Sequence, residues 1–132
     1  VSSHEIRKKL NSTMWANASI ARTEAGLKQA AKDIEHIKSG MLPKLGVMNN
    51  SSMQYNKELV ETLETVNLVR IAEILVKSAL MRKESRGAHY RLDYPKTDDK
   101  NWLFHIVWSL EDGVLVNKTS PIVTTTYNPP AS

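Results

Sequence analysis

Apolar residues recur at helical spacing through the first two thirds of the chain and at a two-residue spacing near its end. The opening SSHE can form a capping box, with Ser2 accepting from the backbone N–H of Glu5 while the Glu5 side chain reaches back. Ile6, Leu10 and Met14 then mark the apolar edge of a first helix. Thr23 and Glu24 begin a second, whose stripe runs through Leu27, Ala30, Ala31, Ile34, Ile37 and Met41, with Gly40 and Pro43 as its stop. LPKLGVMNNSS has the composition of a connecting loop, after which Asn56 can cap a third helix running toward Ser85.

From Val66 to Met81 that third helix is apolar on nearly every side, so it needs more cover than two neighbouring helices supply. Gly87 suits the left-handed position just past a helix end. Beyond Pro95 the polar TDDKN leads into WLFHIVWSL, where Trp102, Phe104, Ile106, Trp108 and Leu110 fall on one strand face. EDG supplies a turn, VLVN a returning strand, and SPIVTTTYNPPAS an extended tail. The expected fold is mainly α: an antiparallel three-helix bundle of the spectrin-repeat kind, with an appended C-terminal β-hairpin and tail. Residues 1–100 form the bundle, ending in the ESRGAHYR segment, and 101–132 the hairpin and tail packed on it, in one structural domain.

Composition narrows the functional classes. In 132 residues, 41% of them hydrophobic, no apolar run approaches membrane-spanning length, which predicts one soluble domain without membrane insertion. The absence of cysteine excludes disulfides, thiolate metal sites and cysteine nucleophiles from this chain and suits a cytoplasmic setting. VSSHEIRKKL has neither an initiator Met nor a signal-peptide core, as expected of a piece of a longer chain. The net charge of +4 arises within residues 1–50, and the charges alternate in sign along the helices, which is not the pattern of a nucleic-acid binder.

No phosphate-binding glycine loop, nucleophile elbow or zinc-protease helix occurs. His4, His36, His89 and His105 are far apart and only His89 has a nearby carboxylate, Asp93, too few ligands for a metal. His36 reads as a surface residue and His105 as a partly buried imidazole bonded to a neighbour. Trp15, Trp102 and Trp108 read as core rather than as a stacking platform.

KESRGAHYRLDYP, residues 83–95, stands apart, because a core does not need Glu84, Arg86, His89 and Arg91 at the end of its most apolar helix. One reading is local: Arg86 pairs with Glu84 or Asp93, Arg91 lies in solvent, and His89 caps helix carbonyls. The other aims Arg86, His89 and Arg91 outward, at carboxylates of a neighbouring domain. Sequence pattern alone leaves both open.

ESRGAHYRLDYP followed by DDKNWLFH resembles the C-terminal helical domain of succinate dehydrogenase and fumarate reductase flavoprotein subunits. NKELVETLETVNLVRIAEILVKSALMRK is similar to that family's long helix, MWANASIARTEAGLKQA to its paired first helices, and SPIV and NPP to its tail. Ala18 and Ser19 stand where the family often has glycine, and the chain stops at Ala131 and Ser132 where the family tail often continues. L-aspartate oxidase shares the ESRG element and is the related alternative; a stand-alone basic interaction module is the alternative of another class. The resemblance implies a parent that binds FAD, interconverts succinate and fumarate, and passes electrons to an iron–sulfur subunit at the cytoplasmic face of a membrane. It places flavin and catalysis in upstream FAD-binding and capping domains. To this chain it leaves docking and stabilisation, with Glu84, Ser85, Arg86, Gly87, His89, Arg91, Asp93, Tyr94 and Trp102 as the interdomain motif and no catalytic, cofactor or metal site.

Overall fold

A computed structural model describes residues 1–48 and 54–126. The Ser2 capping box forms as expected and opens α1, Ser3–Asn17. Thr23 accepts from Gly26 N–H and opens α2, Glu24–His36, which widens into a π turn over Ile37–Met41 and a 3-10 turn over Leu42–Lys44. Pro43 sits inside that last turn, where its missing N–H costs nothing. Asn56 accepts from Leu59 N–H at 3.0 Å and opens α3, Lys57–Met81.

Ile6 and Leu10 of α1, Leu27, Ala30 and Ile34 of α2, and Val69, Ala72 and Val76 of α3 bury against one another in a single core. Polar contacts fix how the helices meet. Arg7 near the start of α1 reaches Glu61, Glu64 and Thr65 early in α3. Lys38 and Lys77 converge on Glu73, whose carboxylate faces burial but is held ionised by these two ammonium groups.

The third helix stops at Met81, four residues short of the expected end. Arg82 is already extended, and the carbonyls freed by that break are taken by a side chain from farther along, Arg91. Gly87 is therefore not a helix stop. With φ of +56°, it occupies the first central position of a tight turn in which Arg86 and His89 exchange both backbone hydrogen bonds, at 2.8 and 3.0 Å.

Periodicity gave no warning of a parallel ladder between β1, Ala21–Arg22, and β2, Tyr90–Arg91. It stitches the α1–α2 corner to the segment after α3, and Leu92 N–H extends it to Arg22 O. Next come the short α4, Asp99–Trp102, and the hairpin of β3, Phe104–Glu111, with β4, Val114–Pro121. Asp112 and Gly113, at φ of 49° and 80°, make its two-residue turn of type I′. Phe104, Ile106 and Trp108 share the half-buried face as expected, but Trp102 lies in α4 and Leu110 is exposed at the far end. Trp108 Nε1 donates to Ser78 Oγ at 2.8 Å and pins the hairpin to α3. The NNSS part of the loop and the NPP of the tail fall outside the described residues.

The molecule is thus mainly helical, with four α-helices and two small sheets among the described residues. None of the described helices is long and apolar enough to cross a membrane. Leu27→Ala should lower unfolding free energy by about 2 to 5 kcal/mol in urea titration, as a cavity in a shared core does. Leu63→Ala, on the exposed side of α3, should stay within about 0.5 kcal/mol.

Candidate functional site

The ESRGAHYR segment folds back on the end of α3 as two linked ion clusters. The first centres on Glu84, whose side chain is fully buried. Its carboxylate accepts from Arg82 Nη1, from Arg86 Nε at 2.9 Å and Nη2 at 3.1 Å, and from the backbone N–H of Asp98 at 2.7 Å. Those four donors match the lone pairs of an ionised carboxylate. Burial alone would raise the Glu84 pKa, but the hydrogen bonds from Arg86, Asp98 and Arg82 outweigh it and hold the group below its ordinary value. Arg86 also donates to Asp99 at 2.6 Å, and its own pKa is pushed up by Glu84 and Asp99.

Arg82 extends this cluster to the hairpin. It donates to Trp102 O at 2.8 Å and Phe104 O at 2.7 Å, and its guanidinium lies over both rings, 5.7 Å from that of Trp102 and 5.5 Å from that of Phe104. The two rings are themselves 5.4 Å apart.

The second cluster centres on Arg91, which is 0% exposed. Its guanidinium binds Asp93 through two bonds of 2.7 and 2.6 Å, donates to Ala79 O at 2.8 Å, and stacks 5.0 Å from the Tyr94 ring. The positive group therefore sits on the negative end of α3. Asp93 in turn accepts from Glu24 N–H at 3.2 Å, on the positive end of α2. Ser85 knots the backbone between the clusters, accepting from Arg91 N–H and donating to Tyr94 O.

These contacts correct both sequence readings of Arg91, which lies neither in solvent nor aimed outward, because the end of α3 has carbonyls only a buried cation can satisfy at once. Arg91, rather than His89, is the principal cap. His89 Nδ1 accepts from Arg22 Nη1 at 2.9 Å, which leaves its Nε2 proton for Arg82 O at 3.4 Å. Burial and the surrounding charges of Arg22, Arg91 and Arg82 lower its pKa, against the raising effect of the Arg82 carbonyl.

Trp15, expected in the core, is 78% exposed, and His105 is exposed rather than partly buried. Among the described residues, no second element covers their side of the helix or ribbon. Arg22 and Arg82 escaped the sequence reading, because each lies outside the dense polar run that drew attention. Arg22 carried a positional signal, just before the predicted start of the second helix at Thr23, whereas Arg82 fell inside the predicted third helix and carried none. Among the described residues no group of histidines and carboxylates is arranged to hold a metal.

Glu84→Gln should destabilise the fold by about 1 to 3 kcal/mol, because it leaves the partly buried Arg82 without its carboxylate and Arg86 with Asp99 alone; urea titration with amide exchange should show β3 opening first. Asp93 is drawn down to about 2 by Arg91, from an ordinary value of 3.8. Its contribution is complete above the ordinary value and is lost as pH falls from there toward 2. The lowered pKa of His89 has the same sign in a higher window: stability falls as pH drops below about 6.5. His89→Asn should flatten that upper limb of the stability–pH curve while leaving the lower one.

A family model described as the fumarate reductase flavoprotein C-terminus matches residues 7–132. The succinate dehydrogenase flavoprotein subunit of Rickettsia bellii is 40% identical over 129 residues, covering 97% of this chain and 21% of the relative. The fumarate reductase flavoprotein subunit of Haemophilus influenzae is 34% identical over 126 residues, covering 95% and 21%. Among solved structures, E. coli quinol fumarate reductase FrdA superposes with a TM-score of 0.88 at 29% identity, over 100% of this chain and 23% of that one. The chain thus spans about a fifth of the length of the relatives it matches. Its ion clusters and hairpin are those of a chain that belongs to the fumarate reductase flavoprotein C-terminal family.

Proposed function

We propose that this chain is the docking and stabilising C-terminal domain of an FAD-dependent succinate dehydrogenase or fumarate reductase flavoprotein subunit, whose chemistry lies in upstream domains. One observation carries the reading: the side chains that look reactive are already committed inside the chain. Glu84 has four donors and Arg91 is buried on helix carbonyls and Asp93, so neither is available to a substrate. Flavin does not fit these residues either. Arg82, Arg86 and Arg91, which could meet its phosphates, are paired with Glu84, Asp99 and Asp93, and among the described residues no glycine-rich turn leads from a strand into a helix.

In this reading Glu84, Ser85, Arg86, Arg91, Asp93 and Tyr94 form an internal clasp, with Trp102 joining it to the hairpin. The clasp holds the Gly87 turn, His89 and the outer side of β2 in shape against the upstream FAD-binding domain. The three long helices act as an antiparallel bundle, supported by the Arg7–Glu64 pair. Residues 1–100 with their 101–132 hairpin behave as one unit. The parent interconverts succinate and fumarate and hands electrons to an iron–sulfur subunit in a complex at the cytoplasmic face of a membrane. The long flavoprotein relatives favour this over a stand-alone basic module.

The isolated chain should show no flavin absorbance and no fumarate-dependent oxidation of reduced dyes; turnover by the pure fragment would refute the division of labour. In the full-length subunit, Arg86→Ala or His89→Ala should reduce flavin content and electron transfer more than Lys100→Ala, since an unpaired buried partner costs about 1 to 3 kcal/mol. Normal flavin content and transfer in both variants would sink the placement of this segment against the flavin domain.

A further inference from the structure

Arg22 sits between two hollows. The larger, about 710 Å³ and open to solvent, is lined mainly by Met14, Trp15, Ala18, Ile20 and Ala88. Trp15 and Ile20 stand 78% and 76% exposed on it, although a tryptophan and an isoleucine are the side chains that gain most from burial. The smaller, about 220 Å³, lies where Arg22, Arg82 and His89 meet Leu75, Ser78 and Ala79 of α3.

Charge is unbalanced at this corner. Arg7, Arg82, Arg86 and Arg91 each hold a carboxylate. Among the described residues Arg22 holds none. Its Nε is spent on the Ala18 and Ser19 carbonyls and its Nη1 on the ring of His89, so its charge meets only neutral acceptors. Burial without a counter-ion lowers its pKa, as expected of a cation left waiting for an anion. A half-buried, uncompensated guanidinium beside an exposed apolar shelf specifies its occupant: a carboxylate next to a large apolar side chain.

We propose that a segment of the upstream polypeptide of the same flavoprotein docks here, seating an apolar side chain against Trp15 and Ile20 and an Asp or Glu on Arg22. This rests on reading the chain as one domain of a longer flavoprotein, about a fifth of its relatives' length. A second copy of this chain fits badly, because a two-fold contact through this corner would bring Arg22 against its own like charge. A small molecule fits badly too, because the larger hollow is too open to enclose one. Docking at this corner would reach the Ala88 turn directly, so the ESRG segment would contact the upstream domain through its backbone turn rather than its charges.

The test uses the full-length flavoprotein with a photo-crosslinking benzoylphenylalanine in place of Trp15 and mass-spectrometric mapping of the product. The expected cross-link joins this position to an upstream stretch of the same polypeptide that contains an acidic residue beside an apolar one. Its yield should fall roughly tenfold with Arg22→Gln and survive in Arg22→Lys, the scale of one lost charge-assisted contact. Should Arg22→Gln not fold, Ile20→Asp serves instead: the position is exposed, so folding is spared, and the new carboxylate repels the incoming one, with the same loss expected. Cross-linking to a second copy or to a separate subunit, or no cross-link, overturns the proposal. Flavin absorbance separates the two levels of failure. With flavin bound and no upstream cross-link, only the docking site falls; a full-length chain that binds no flavin takes the flavoprotein reading down with it.

Discussion

A buried carboxylate organises everything after the third helix. Glu84 is removed from water, and an ionised group there is tolerated only if each of its lone pairs finds a donor. The chain meets that demand from three directions: Arg82 before it, Arg86 after it, and the Asp98 backbone beyond the β2 segment. To bring those groups within reach, α3 must end at Met81, the chain must reverse at Gly87, and the Lys96–Asp98 stretch must return alongside Ser85. The hairpin then starts where Arg82 holds the Trp102 and Phe104 carbonyls, so its place on the helices is set by the same charge network.

The Arg91–Asp93 pair applies the same logic to helix ends. A guanidinium on the carbonyls of α3 and a carboxylate on the first N–H of α2 each meet the partial charge that the helix offers. Because the two side chains also bind each other bidentately, they tie the end of one helix to the start of another. The network thereby positions helices, a hairpin and a turn without leaving a free reactive group. That is the physical basis for the proposal that this domain plays a supporting part in a longer flavoprotein.

The helices were legible because their signals are local. Ser2 with Glu5, Thr23 and Asn56 each cap within three residues, and the stripe from Leu27 to Ile37 faces the core as its spacing predicts. The hairpin was legible for the same reason, in its alternation and its Asp112–Gly113 turn. What escaped was whatever depends on residues far apart in sequence. The end of α3 depends on Arg91, ten residues later; the exposure of Trp15 depends on which neighbours cover α1; and the β1–β2 ladder pairs dipeptides with no strand signal of their own. At the ESRG segment, residue types announced a dense ionic site. Only the fold distinguished an inward clasp from an outward one, because burial of Arg91 is a property of the surrounding backbone.

The β1–β2 ladder carries a consequence for how the chain is made. Its two dipeptides are separated by the whole of α2 and α3, and Leu92 closes it onto Arg22. Contacts of such sequence separation form late, after the local helices have paid their own nucleation cost. During synthesis the corner between α1 and α2 therefore stays unfastened until the ESRG segment has left the ribosome. A nascent chain stopped before Arg91 would hold three helices, with the end of α3 and the first N–H of α2 lacking their side-chain partners and an apolar shelf at Trp15 open to the wrong partners.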